Sequence, residues 1–327
     1  MSRVFEALSK ANEAKKHQIV EALTKASEDE KYRNDRAFAP AGNRTFKSDD
    51  VIEIVEANQP WSIPRNGHER DVSELPIRVG NGQKSWRERI EELLFGWDLA
   101  KYHNYPIVAL EKDSPESEQY KILREQIKRL RMEGGIDAFS ITSPVKRDGK
   151  TTVAVNLAAV LALDYEENVL LIDGDLRAPG VNRYFNAPLS PGLADYLGSG
   201  SRLNIKSLVQ ETFLPGLRIL PAGKPSHLSS ELLAKEKMKL VMEEIRAEFP
   251  KHQIIIDTPP ILSTPDPMVI ARHVDGVLMV IRAGKTPRDY LTKALQSLNS
   301  SKIMGVVLNG ANLGISSKYY YYTTNEA

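Results

Sequence analysis

Three apolar runs, each ending in polar residues suited to phosphate chemistry, constrain this chain more than any other feature. The first is Phe139-Ser-Ile-Thr-Ser143, followed by a break holding Pro144 and Gly149 and then by Lys150-Thr151-Thr152. Behind the threonines, Val153, Val155, Leu157, Val160 and Leu161 set a helical pattern. Strand, loop ending in Gly-Lys-Thr, helix is the layout of a phosphate-binding loop. Backbone N–H groups and the helix N-terminus hold phosphates, the lysine reaches the β and γ oxygens, and the hydroxyl after it can ligate Mg²⁺. The full pattern asks for glycine six residues before the lysine, where this chain has Pro144. The second run, Val169-Leu-Leu-Ile172, ends in Asp173-Gly-Asp175-Leu-Arg177, and the third, Gln253-Ile-Ile-Ile256, ends in Asp257-Thr-Pro-Pro260. Ligands of a parallel α/β sheet sit at the carboxyl ends of its strands. A Mg²⁺ ion on a nucleotide takes one or two carboxylates besides phosphate oxygens and water. A single aspartate after a buried strand does no more than start a loop. Three such runs, in this order, point to a nucleotide site.

The fold class follows from alternation. Strand-like runs at 139–143, 168–172, 217–221, 253–257, 276–282 and 303–309 alternate with helical stretches at 115–132, 151–163, 229–249 and 287–299. Repeated βαβ units predict an α/β fold, a mostly parallel sheet with helices on both faces. No internal repeat is visible.

The first hundred residues differ in texture. Val4, Phe5, Leu8, Ala11, Ile19, Val20 and Leu23 predict an amphipathic helix or helix pair over residues 1–30, either packing on its own domain or docking a partner. Residues 31–104, with Pro40, Pro60, Pro64 and Pro76, read as a partly disordered linker carrying a short helix near 85–101. Residues 105–316 read as the globular unit and 317–327 as a flexible tail with four consecutive tyrosines, Tyr319–Tyr322. A net charge of +1 argues against a nucleic-acid or membrane-surface role. The chain has no cysteine, which excludes disulfides and thiolate-bound metals and fits a reducing compartment. Its six histidines are scattered, with no metal-ligand spacing. No apolar run reaches the roughly 18–20 residues of a membrane span, so direct membrane insertion is not expected.

Residues 114–322 resemble the bacterial tyrosine kinases of polysaccharide biosynthesis, P-loop domains related to the Par/Min-like ATPases. The resemblance rests on Ser114-Pro-Glu-Ser-Glu-Gln-Tyr-Lys-Ile-Leu-Arg124, Gly149-Lys-Thr-Thr152, the primed Walker motif Leu171-Ile-Asp-Gly-Asp-Leu-Arg177, and Ile254-Ile-Ile-Asp-Thr-Pro-Pro260. Gly305-Val-Val-Leu-Asn309 and the tyrosine cluster complete it. The resemblance implies an ATP- and Mg²⁺-dependent protein-tyrosine autokinase. In it Arg147, Asp148, Gly149, Lys150, Thr151 and Thr152 cradle the phosphates and Asn309 contacts adenine. Lys150, Asp173 and Asp175 are then catalytic, Thr151, Asp175 and Asp257 hold the metal, and Tyr319, Tyr320, Tyr321 and Tyr322 accept phosphate. Glu118, Lys121 and Arg124 would form a homo-oligomer interface. A membrane chain-length regulator would activate the kinase and recruit it from the cytoplasm to the inner face of the membrane, where it controls polysaccharide polymerisation or export.

Two departures stand out. The family has Pro-Gly where this chain has Lys146-Arg147, and Arg where it has Lys121. Arginine tolerates a tight phosphate loop less well than glycine, so a slower enzyme is expected; lysine loses the bidentate geometry of arginine. A Par/Min-like ATPase switch and a non-catalytic nucleotide-binding adaptor are the alternatives. The tyrosine tail favours the kinase.

Overall fold

The computed structural model describes residues 51–53, 105, 107–111, 114–164, 168–199, 203–233, 235–298 and 302–311. The amphipathic segment expected at 1–30, the helix expected near 85–101 and the cluster Tyr319–Tyr322 lie outside these residues.

The strands are β1 (Val51–Glu53), β2 (Ala138–Thr142), β3 (Asn168–Asp173), β4 (Gln210–Glu211), β5 (Leu217–Leu220), β6 (His252–Asp257), β7 (Gly276–Arg282) and β8 (Ile303–Asn309). They form one sheet in the order β1-β8-β7-β2-β6-β3-β5-β4. Every neighbouring pair is parallel except β4 with β5. The helices are α1 (Pro115–Gly134), α2 (Lys150–Ala162), α3 (Val181–Tyr184), α4 (Leu193–Ser199), α5 (Ile205–Leu208), α6 (Ser229–Leu232), α7 (Lys235–Glu248), α8 (Asp266–Ala271) and α9 (Arg288–Ser297).

The alternation along β3 shows how the layers form. Val169 and Leu171 join the core made with α1 and α2, whereas Leu170 and Ile172 join the core made with α4 and α7. A strand covered on both faces must be apolar throughout, which is why these runs were readable. A third core joins β7 and β8 to α9. Helix α2 is buried continuously from Val153 to Ala162, and an all-apolar helix of this kind belongs inside a domain. Truncating Leu157 there would cost about 2–5 kcal/mol. Helix α1 starts where Ser114 caps it, its hydroxyl accepting the Ser117 N–H at 3.0 Å, and stops at the left-handed Gly135.

The sequence predicts one helix over 229–249; the structure has two, α6 and α7. Helices α3, α4, α5 and α8, of four to seven residues, are too short for periodicity to show. Within the stretch read as a linker, Val51–Glu53 pairs in parallel with β8 from Val306 to Leu308 and becomes an edge strand.

Candidate active site

The phosphate loop runs from the end of β2 to the start of α2 and turns through two left-handed residues, Arg147 (φ 71°) and Gly149 (φ 94°). Its middle is fixed from the ends of β7 and β8. The Asn309 Nδ2 amide donates to the Asp148 carbonyl at 2.9 Å, the Arg282 guanidinium to the Arg147 carbonyl at 3.3 Å, and the Thr286 hydroxyl to Asp148 Oδ1 at 2.8 Å. Gly149 is required here on two counts. Its backbone angle suits glycine, and a Cβ would stand 1.9 Å from Asn309 Nδ2.

Parallel pairing brings the carboxylates together: Asp173 ends β3 directly opposite Asp257 at the end of β6. Both are completely buried. Asp257 Oδ2 accepts the Thr151 hydroxyl at 2.6 Å, and its Oδ1 makes no hydrogen bond but lies 3.8 Å from Lys150 Nζ. Lys150 Nζ sits 3.1 Å from Asp175 Oδ2 and 3.2 Å from the Thr151 hydroxyl. Asp173 faces inward. Its Oδ2 accepts the N–H groups of Gly180 and Val181 at 2.9 and 3.0 Å, and its Oδ1 accepts that of Asp175 at 3.2 Å. Burial, with the neighbouring Asp257, pushes Asp173 up to about 7 despite those two amides. Burial likewise raises Asp257 to about 6, against the pull of Lys150 and Thr151. Burial works against the Lys150 charge, but Asp257 and Asp175 outweigh it and its pKa is raised.

A cleft of about 480 Å³ opens beside the loop, lined by Lys146, Arg147, Gly149, Lys150, Thr151, Thr152, Asp175, Arg177 and the Pro259–Pro260 and Ser263–Thr264 segments. Six of the residues anticipated from sequence therefore meet there. Thr152 also pairs with the Tyr184 hydroxyl at 2.9 Å. Four others, Asp148, Asp173, Asp257 and Asn309, are buried behind the cleft wall rather than lining it. The structure thus places Asp173 as a holder of the 174–181 loop, and Asn309 as a holder of the phosphate loop. Glu118 and Lys121 pair with each other at 2.5 Å and Arg124 pairs with Glu125 at 2.8 Å, all on α1.

Sequence reasoning missed Arg282 and Thr286, which brace the loop, and a buried group around Asp266. That carboxylate accepts the hydroxyls of Ser229 (2.7 Å) and Ser230 (2.8 Å), and both serines accept from Arg177. These partners lie 36 to 138 residues apart, so no local pattern could have announced them.

The donor set suits a magnesium nucleotide. A hydroxyl, an adjacent carboxylate with one oxygen lacking a hydrogen bond, and a cation balanced between two carboxylates stand together at a helix N-terminus. Among the described residues no three carboxylates or imidazoles converge to hold a metal unaided, as suits an ion that relies on phosphate oxygens and water.

Residues 147–299 match the family described as an AAA domain. The chain is 35% identical over 222 residues to the tyrosine-protein kinase YwqD of Bacillus subtilis, covering 67% of this chain and 92% of that one. The solved kinase domain of the Escherichia coli tyrosine kinase ETK superposes with a TM-score of 0.59 at 29% identity, over 64% of this chain and 82% of that domain. The chimerical protein CapA2B2 gives a TM-score of 0.56 at 26% identity, over 63% and 89%. An identity of 35% across nearly all of a relative carries more than a shared sheet, and the chain belongs to the bacterial tyrosine-protein kinase family.

Proposed function

We propose that this chain transfers the γ-phosphoryl group of Mg-ATP to tyrosine, that its own cluster Tyr319–Tyr322 in a neighbouring subunit is the acceptor, and that this regulates exopolysaccharide polymerisation and export. The observation that carries the reading is Lys150, held between Asp175 and Asp257 beside the Thr151 hydroxyl. Phosphoryl transfer passes through a loose transition state, so positioning and charge neutralisation provide most of the catalysis.

Lys150 leaves its carboxylate partners to hold the β and γ oxygens, with the amides of 147–152 around them. Thr151 and Asp257 would hold Mg²⁺, Asp257 through water, together with Asp175. The bound metal supplies charge neutralisation on the phosphates. Asp175, the member of the aspartate pair that lines the cleft, takes the phenolic proton as the tyrosine oxygen bonds to phosphorus and the bridging oxygen leaves with ADP. Asp173 orients it by accepting its backbone N–H.

The α1 face carrying Glu118, Lys121 and Arg124 is the proposed contact between subunits, and Ile122 beside them is half exposed. A membrane chain-length regulator is the proposed activator, which would recruit the kinase from the cytoplasm to the inner face of the membrane. The family resemblance supports that partner. No helix among the described residues is long and apolar enough to cross a membrane.

Purified protein incubated with Mg-ATP should gain phosphotyrosine, and Lys150→Met should not. Mixing Lys150→Met with a chain lacking residues 319–322 should place label on the Lys150→Met partner. Absence of label there, at concentrations where wild type labels itself, rules out transfer between subunits.

A further inference from the structure

Arg177 is a cation of the cleft to which the proposed reaction gives no task. Its guanidinium is tied to α6 and α8 rather than to the phosphate loop. Nε donates to Ser229 Oγ at 2.7 Å and Nη2 to Ser230 Oγ at 3.3 Å, and Nε lies 3.6 Å from Asp266 Oδ2. Ser229 and Asp266 are completely buried, so the bracing is rigid. Nη1 makes no hydrogen bond among the described residues, and 38% of the side chain stays exposed on the cleft wall. A guanidinium held from behind with free N–H groups in front is preorganised for an oxyanion, and its fork matches phosphate. Lys146 and Arg147 add positive charge along the same cleft.

Four consecutive tyrosines supply the matching group. Once one of them is phosphorylated, its neighbours carry a nearly dianionic phosphate beside the next hydroxyl. We infer that Arg177 binds the phosphate of an already modified tyrosine while an adjacent one enters the cleft, so that the cluster is phosphorylated in sequence after a first, slower event. The inference rests on the proposed acceptor and deepens it.

The test compares two peptides spanning residues 314–327, one unmodified and one carrying phosphate on Tyr321, as acceptors for the full chain with Mg-ATP. Wild type should show a KM about tenfold lower for the phosphorylated peptide, the size expected of one charge-assisted contact. Arg177→Gln should equalise the two with the KM for ATP unchanged, and Arg177→Lys should keep part of the preference. Ser230→Ala retains the arginine and loosens its brace; it should weaken the preference even should Arg177→Gln fail to fold. Equal KM values in wild type, a preference that survives Arg177→Gln, or a parallel rise in the KM for ATP would each overturn the inference. Failure of wild type to label either peptide or its own tail would instead remove the tyrosine-kinase reading beneath it.

Discussion

The Asn309 side-chain amide donates to the Asp148 carbonyl at 2.9 Å and fills the space where Gly149 would carry a Cβ. Gly149→Ala therefore meets a steric and a backbone penalty together, since a non-glycine residue in the left-handed region costs roughly 1–2 kcal/mol. ATP affinity should fall about tenfold or more, read by calorimetry, with a lower Tm. The double variant Gly149→Ala with Asn309→Ser should recover part of the Tm. Wild-type affinity in the single variant would mean that the loop rearranges freely around a methyl group.

Arg147 occupies the same left-handed region at φ 71°. The Arg282 bond reaches its carbonyl, not its side chain, and survives substitution. Arg147→Gly should be neutral or faster in kcat/KM, with the relief of strain partly offset by the greater freedom of glycine in the unfolded chain, a net change within about 1 kcal/mol. A loss of activity beyond tenfold would identify Arg147 as a working phosphate ligand.

The two aspartates of the primed motif should separate. Asp175→Asn removes the 3.1 Å partner of Lys150 from the cleft and should lower turnover by about 10²-fold or more, with little change in Tm. Asp173→Asn leaves the cleft chemistry in place but replaces one acceptor of the amides that fix Gly180 and Val181. It should change stability and turnover together. Equal turnover losses with unchanged Tm in both would contradict the division of labour.

Metal-free protein should lose stability as pH rises. Asp173 and Asp257 sit at about 7 and about 6 when folded, against an ordinary 3.8, chiefly through burial. Between about pH 4 and 7 the folded chain therefore retains protons that the unfolded chain has released, and stability falls through that window. Scanning calorimetry in chelator should show Tm falling from pH 5 to pH 8, and Asp257→Asn should flatten the slope. A Tm that climbs with pH would contradict it.

The sheet was legible because strands buried on both faces leave unbroken apolar runs. The boundaries predicted for β3 and β6 fall within one residue of those observed. Lys150, Thr151 and Asp175 were legible for a related reason: polar residues at the ends of such runs have few places to go except the carboxyl edge of the sheet. Depth was not legible. Asp173 and Asp175 are two residues apart, yet one supports the loop from behind while the other lines the cleft. The attachment of Val51–Glu53 to β8 was equally invisible, being a pairing between distant segments with no turn to mark it.

The position of Asn309 also ties the site to the making of the chain. The loop it holds is synthesised near residue 148, but Asn309 is the last residue of β8, the final strand among the described residues, and Arg282 and Thr286 come from the strand end before it. A ribosome-bound chain that has passed the phosphate loop but not β8 carries the Gly-Lys-Thr segment without its buried holder. The phosphate loop therefore gains this bond only when β8 has docked. A fragment that ends before β8 has the loop residues in full but lacks the side-chain amide that fixes the Asp148 carbonyl.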